Sequence, residues 1–211
     1  MSVDKEMTHM HFDVLQEISN IGLGNAATSL AELLQKRVDL EVPQATFVDV
    51  EQVFSMVGGL EDVVACVHLG FEGDIAGTVM YIFTEQSVYK LVDILLNQEI
   101  GTTKELDELG NSIIMEIGNI LTGTFINAIS SMTGLNIYTS VPMFAFDMMG
   151  AILSASFVAS GHWDEKVLLI ETHFVQNNEQ IKGHFFLLPE TGFLNKLFMA
   201  LGLPLNNVNE I

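Results

Sequence analysis

The chain has 211 residues, of which 49% are hydrophobic, and its 27 Asp and Glu against 8 Lys and Arg give a formal net charge of −19. That length supports one sizeable core or two small ones. With no basic cluster to offset the acidic charge, the composition argues against binding to nucleic acid or to an anionic membrane. The charge itself serves solubility or contact with a basic patch on a protein partner.

The N-terminal region offers neither a secretory signal nor a complete metal site. Asp4, Lys5 and Glu6 stand where a signal would need an apolar run, so we expect a cytoplasmic protein. His9 and His11 form a lone pair at the start of the first helix, and two histidines supply too few ligands for a metal. Cys66, the single cysteine, excludes a disulfide within the chain and lies in an apolar run that predicts burial.

The first half of the chain predicts a helix, three strands and a second helix. The helix runs from Phe12 to about residue 35, with four residues turned toward a core: Leu15, Ile18, Leu30 and Leu33. Strands follow at about 40–50, 63–71 and 75–83, the last two joined by a turn at 72–74. Thr84 is placed to cap a helix that ends before Gly101.

The second half predicts the same order. Thr102 with Glu105 forms a capping box for a helix that continues to about Met132. Strands are expected near 136–146, 152–159, 167–175 and 181–188, and a last helix near 191–201. The apolar stretch 141–160 carries a single charge, Asp147, which disfavours a membrane span. We therefore expect two buried β segments there, separated by a turn at Met149-Gly150.

Two segments carry the same spaced set of residues 99 positions apart: Asp13, Glu17, Asn20, Gly24 and Pro43 in the first, and Ser112, Glu116, Asn119, Gly123 and Pro142 in the second. A single Glu-x-x-Asn means little on a helix. A proline matched 23 positions after the asparagine in both segments indicates a duplicated site.

At 100° per residue the four helical members of each set fall on one polar stripe, opposite apolar positions such as Ile114, Ile117 and Leu121. Glycine disfavours a helix by about 1 kcal/mol against alanine, so Gly24 and Gly123 indicate that another body comes close to both stripes. Either a partner protein or close packing of the helix on a sheet would explain them.

This pattern resembles the signature of the CheC phosphatase family, in which an acidic or hydroxyl residue, a glutamate, an asparagine and a distant proline occupy these intervals. The resemblance implies a CheC-like, internally duplicated α/β fold of α+β content. Two pseudo-symmetric halves, each a helix with antiparallel strands, would share one core. We expect a single domain over residues 1–211, with repeats at about 10–100 and 103–205, and a monomer.

The resemblance also implies a function: hydrolysis of the aspartyl phosphate on the response regulator CheY in chemotaxis, and binding of the receptor deamidase CheD. Asn20 and Asn119 would position the attacking water, and Glu17 and Glu116 would pair with the active-site lysine of the regulator. The chain would need no cofactor or metal of its own, because the regulator supplies Mg²⁺.

The remaining members of the pattern would support this site. Asp13 and Ser112 would orient the glutamate or bond across the site, while Pro43 and Pro142 would shape the following strands. The alternatives are a non-catalytic adaptor that recruits CheD or phosphorylated CheY, and a relative of the CheX or FliY type. Intact Glu and Asn in both copies favour catalysis, because an adaptor has no chemical need for the amide.

Overall fold

The computed structural model describes residues 7–34, 39–160, 166–176 and 179–205. The first half of the chain contributes the helix α1 (His9–Leu34), strand β1 (Asp39–Asp49), helix α2 (Val50–Val57), strands β2 (Val63–Gly73) and β3 (Gly77–Thr84), and helix α3 (Glu85–Leu95). The second half contributes α4 (Glu108–Thr133), β4 (Ile137–Thr139), β5 (Met143–Met148), α5 (Met149–Ser160), β6 (Lys166–Gln176), β7 (Glu179–Pro189) and α6 (Phe193–Ala200). The order helix, strand, helix, two strands, helix therefore occurs twice, with the first strand of the second copy divided in two.

The described strands form one antiparallel sheet in the order β1-β6-β7-β3-β2-β4, with β5 also paired to β2. This order is symmetric about the central pair β3 and β7, and the two halves exchange their first strands. β1 of the first half pairs with β6 of the second, and β4 and β5 of the second half pair with β2 of the first. The predicted fold of two pseudo-symmetric halves around a shared core is confirmed.

The sheet lies between two helical layers. Buried residues of α1, α3, α4 and α6 form one apolar cluster with side chains such as Val67 and Leu69 of β2. Residues of α2 and α5 form a second cluster on the opposite face with Val64 and Cys66 of the same strand. Because successive side chains of a strand point to opposite faces, β2 carries apolar residues on both faces from Val63 to Val67.

The helix boundaries partly follow the predicted caps. Thr84 caps α3 as predicted and accepts a hydrogen bond from the backbone N–H of Ser87 at 3.3 Å. The capping box at Thr102 is wrong: α4 begins six residues later with Asp107 as its cap, which accepts from Gly110 N at 2.8 Å. The backbone N–H of Thr102 instead donates to the buried carboxylate of Asp93 at 3.1 Å, within the connection between the two halves.

Two further elements differ from the sequence prediction. The strand expected at 152–159 and the turn expected at Met149-Gly150 are both wrong, because helix α5 begins at Met149 and contains this segment. The preceding strand β5 exists, but it is mostly exposed and not buried as expected. Met149, Ile152 and Leu153 are buried in the cluster beneath the sheet, and their spacing of three and four residues is that of a helix face. The short helix α2, which has no counterpart among the predicted elements, occupies the equivalent place after β1.

α4 also has the length and hydropathy of a membrane-spanning helix, and no other helix among the described residues does. Half of its most apolar window is buried inside the fold, where it packs on α1 and the sheet. Its apolar character is therefore explained by burial in the shared core.

Candidate functional site

The first predicted stripe lies on the outer face of α1. Asp13, Glu17, Asn20 and Gly24 are all exposed, whereas Leu15, Ile18 and Leu30 on the opposite side are buried, as their periodicity predicted. Leu33, expected in the same apolar set, is instead exposed near the end of the helix. The stripe is thus fully accessible from outside the chain.

The second stripe repeats this arrangement on α4, which has the same length of 26 residues as α1. Ser112 and Glu116 are exposed and Asn119 and Gly123 are half-buried. The glutamate and asparagine side chains of both stripes form no hydrogen bond or ion pair within the described part of the chain. Their polar atoms are therefore available to a partner molecule.

The variable first position differs between the stripes in its local contacts. His9 Nε2 lies 3.7 Å from Asp13 Oδ1, one helical turn away. Ser112 Oγ instead donates to the backbone carbonyl of Glu108 at 2.9 Å. The first stripe thus carries one more carboxylate than the second, and the two stripes are chemically unequal.

The glycines of the stripes face open space. A Cβ added to Gly24 or Gly123 would meet no described atom within 4 Å. Close packing is the role of two other glycines. A Cβ on Gly22 would lie 2.8 Å from the Cα of Phe125 in α4, and one on Gly118 would lie 2.5 Å from Val67 in the sheet. Helix packing within the described part of the chain therefore does not explain the glycines of the stripes.

The two stripes lie at opposite ends of a helix pair. The two-fold symmetry of the sheet relates α1 to α4 on the same face, so the helices run antiparallel. The contact of Gly22 with Phe125 then places Gly24 opposite Gly123. Each glutamate lies seven residues from its glycine, roughly 10 Å along the axis. The glutamates are therefore separated by roughly 20 Å along the helices.

The prolines mark the strands that run beside the stripes. Pro43 lies in β1 at an irregularity of the pairing with β6, between Glu41 and Gln44. The backbone N–H of Ala45, two residues on, donates to Gln16 Oε1 of α1 at 2.9 Å. Pro142 lies between β4 and β5. Since proline cannot donate to a ladder, each proline falls where strand pairing is interrupted.

Other reactive groups are occupied elsewhere in the fold. The ring of His11 is buried, with Nδ1 2.9 Å from the backbone N of Thr8 and Nε2 3.0 Å from the carbonyl of Leu203. Cys66 is buried as predicted, and this burial raises the pKa of its thiol to about 12. No group of three His, Cys, Asp or Glu placed to hold a metal occurs among the described residues.

Comparison with known proteins matches this arrangement to one family. The sequence model of the CheC-like family matches residues 10–46 and 109–144, two segments that begin 99 positions apart. The CheY-P phosphatase CheC of Bacillus subtilis is 32% identical over 209 residues, covering 97% of this chain and 100% of that protein.

Solved structures show the same fold. The crystal structure of Thermotoga maritima FliY superposes with a TM-score of 0.75 at 19% identity, covering 93% of this chain and 98% of that chain. The middle domain of FliM from Vibrio alginolyticus superposes with a TM-score of 0.65 at 14% identity, covering 89% and 99% of the two chains. At these identities the likeness concerns the fold alone.

Proposed function

The chain belongs to the CheC-like family, and from that premise we propose that it is a phosphatase that accelerates hydrolysis of the aspartyl phosphate on the response regulator CheY. The observation that supports this most directly is the pair of outward-facing stripes, each with a glutamate and an asparagine three residues apart that form no hydrogen bond within the described part of the chain. A site for another protein must be accessible in this way, unlike the pocket of most small-molecule enzymes.

The asparagines supply the catalytic group in this proposal. The amide oxygen of Asn20 or Asn119 accepts from a water molecule and its NH₂ group donates, so the side chain can hold the water in line with the phosphorus–oxygen bond. Phosphoryl transfer gains chiefly from positioning and charge stabilisation, and GTPases use a glutamine in the same way. A general base on this chain is unnecessary.

The glutamates dock the regulator. The carboxylates of Glu17 and Glu116 are exposed on the same stripes, where each can form an ion pair with the active-site lysine of the regulator. This contact brings the asparagine, one helical turn on, to the phosphoryl group and excludes bulk water. The Mg²⁺ that neutralises the phosphoryl oxygens belongs to the regulator in this proposal.

The other members of the stripes support this chemistry. The open space at Gly24 and Gly123 admits the backbone of the docked regulator to within contact distance of the helix. Asp13 and Ser112, one turn before the glutamates, are supporting residues that orient the glutamate or bond across the site, and only Asp13 adds a carboxylate. Because they differ, we propose that the two sites have unequal affinity for the regulator.

The test is the decay of phosphorylated CheY from the same organism, measured with and without the protein. We expect faster loss of the acyl phosphate for CheY and nearly unchanged loss for unrelated regulators. Unchanged decay of phosphorylated CheY at saturating protein would refute the phosphatase and favour the adaptor. Binding of CheD, the second partner that family membership suggests, is proposed for the same protein and is tested by co-purification of the two.

A further inference from the structure

A row of apolar side chains runs beside each polar stripe on the outer face of the helix pair. Its members lie seven and three residues before the glutamate and four residues after it. We call these residues the apolar row: Met10, Val14 and Ile21 on α1, and Leu109, Ile113 and Ile120 on α4. With the glutamate they occupy positions i, i+4, i+7 and i+11, which form one stripe of a helix.

The apolar row is exposed to an extent that the core does not explain. Met10 and Leu109, at equivalent places in the two helices, are 56% and 54% exposed, and Ile21 is 36% exposed. Val14, Ile113 and Ile120 are half-buried at the margin of the core cluster. A scattered exposed apolar residue needs no explanation, but the pair Met10 and Leu109, exposed at equivalent places in both copies of a duplicated site, does.

Comparison of the two repeats indicates that the apolar row is not a chance arrangement. Over their 26 residues α1 and α4 are identical at five equivalent positions. These are the glutamate, the asparagine, the stripe glycine, a fully buried isoleucine at 18 and 117, and the isoleucine at 21 and 120. The buried isoleucine is explained by the core. The other four identical residues lie on the outer side of the helices, so Ile21 and Ile120 lie beside the residues of the candidate site.

We propose that the apolar row is the part of the docking surface that supplies affinity for the response regulator, with Ile21 and Ile120 as its central contacts. This inference rests on the proposed function. Residues one turn apart on a helix have Cβ atoms roughly 5–6 Å apart, so a protein whose lysine reaches Glu17 also covers Ile21. The polar stripe fixes orientation, and apolar burial beside it drives association.

A second protein is the occupant that fits these observations. The row adjoins a glutamate and an asparagine that, under the proposed function, contact a cation and a reactive group of the partner. The glycines leave open space on the same outer face, which admits a partner backbone. If the row served only packing between α1 and α4, truncating its side chains would lower stability and leave binding unchanged.

The experiment compares the double variant Ile21→Ala/Ile120→Ala with the parent. The control is Leu33→Ala, a residue of α1 that is 56% exposed and lies outside the row. The probe is CheY of the same organism in its beryllofluoride-activated form, titrated at equilibrium. Steady-state hydrolysis of phosphorylated CheY and thermal unfolding are measured alongside.

We expect the double variant to raise Kd and KM by about tenfold, the scale of losing a buried side-chain contact at an interface. The rate at saturation should stay close to the parent value, because the catalytic residues are untouched. The unfolding temperature should fall only slightly, because Ile120 is half-buried at the margin of the core cluster and Ile21 is exposed. The control should match the parent in every measurement. The double variant Met10→Ala/Leu109→Ala should also raise the Kd for activated CheY.

Unchanged Kd and KM in the double variant, with a parent that binds activated CheY, would overturn this inference and leave the phosphatase proposal standing. A lowered unfolding temperature with unchanged Kd would assign the row to packing between α1 and α4. If the parent neither binds activated CheY nor accelerates its dephosphorylation, the proposed function fails and this inference fails with it.

Discussion

Replacing both stripe asparagines, Asn20→Ala with Asn119→Ala, should abolish the acceleration of phosphoryl hydrolysis and leave the fold intact. Asn20 is exposed and Asn119 is half-buried, and neither side chain forms a hydrogen bond within the described part of the chain. No hydrogen bond is therefore lost on truncation, and alanine is the better helix former. The free energy of unfolding should change by about 0.5 kcal/mol or less.

The effect on catalysis should be far larger than the effect on stability. In acyl-transfer enzymes, removing one positioned hydrogen-bonding group lowers the rate by about 10²–10³-fold, and we take the same scale here. The double variant should fall by about that factor, and each single variant should keep the part of the activity due to the other site. The assay is the decay of phosphorylated CheY under saturating protein, with urea unfolding of each variant in parallel.

A matched control is Asn195→Ala, which removes an exposed asparagine from α6, outside both stripes. It should retain the parent rate. A double variant that still dephosphorylates CheY at the parent rate would refute water positioning by these amides. A double variant that loses activity together with several kcal/mol of stability would instead show that the asparagines hold the fold.

Four further predictions address docking, packing, pH and stoichiometry. Glu17→Gln with Glu116→Gln should weaken association with CheY and flatten its dependence on salt concentration in equilibrium titrations, because an ion pair is lost; an unchanged salt slope would argue against it. Gly24→Ala should raise the free energy of unfolding by up to about 1 kcal/mol, because alanine is the better helix former and its Cβ would meet no neighbour. The same change should weaken CheY binding. Gly22→Ala should instead lower the free energy of unfolding, because its Cβ would lie 2.8 Å from the α4 backbone. Burial raises the pKa of Asp93, but hydrogen bonds from the loop at 101–103 outweigh this effect and hold the pKa below the ordinary value of 3.8. The stabilisation of the fold by the ionised carboxylate should therefore be present above that pH and disappear as pH falls through the lower folded pKa. Replacing Asp93 by alanine should lower the free energy of unfolding in urea by about 2 kcal/mol and remove this part of the acid sensitivity. Titration with activated CheY should approach two equivalents of unequal affinity, and saturation at one equivalent would mean that the stripes cannot be occupied together.

Much of the site was predictable because helical periodicity is a local property. The spacing of Asp13, Glu17, Asn20 and Gly24 is sufficient to place them on one side of a helix, and the apolar residues between them identify the opposite side as buried. The repeat at 99 positions likewise predicted a second, equivalent helix. These inferences need no knowledge of which elements pack together.

Errors arose where a segment's structure depends on distant partners. Residues 152–159 are apolar enough for a buried strand, and they form a helix because this segment covers the far face of the sheet, as α2 does in the first half. Similarly, Thr102 lacks a helix to cap because the loop around it is held by the carboxylate of Asp93. A short apolar run does not by itself distinguish a buried strand from a buried helix.

By itself the sequence determined the duplication, the two long helices and the outward polar stripes, since each follows from residue identity and spacing along one segment. Only the tertiary structure decided that the halves exchange their first strands, that Gly22 and Gly118 serve packing while Gly24 and Gly123 face open space, and that a partly exposed apolar row adjoins each stripe. The physical reason is that strand pairing and burial join residues far apart in the chain. Such contacts depend on the geometry of both partners, which no single segment encodes.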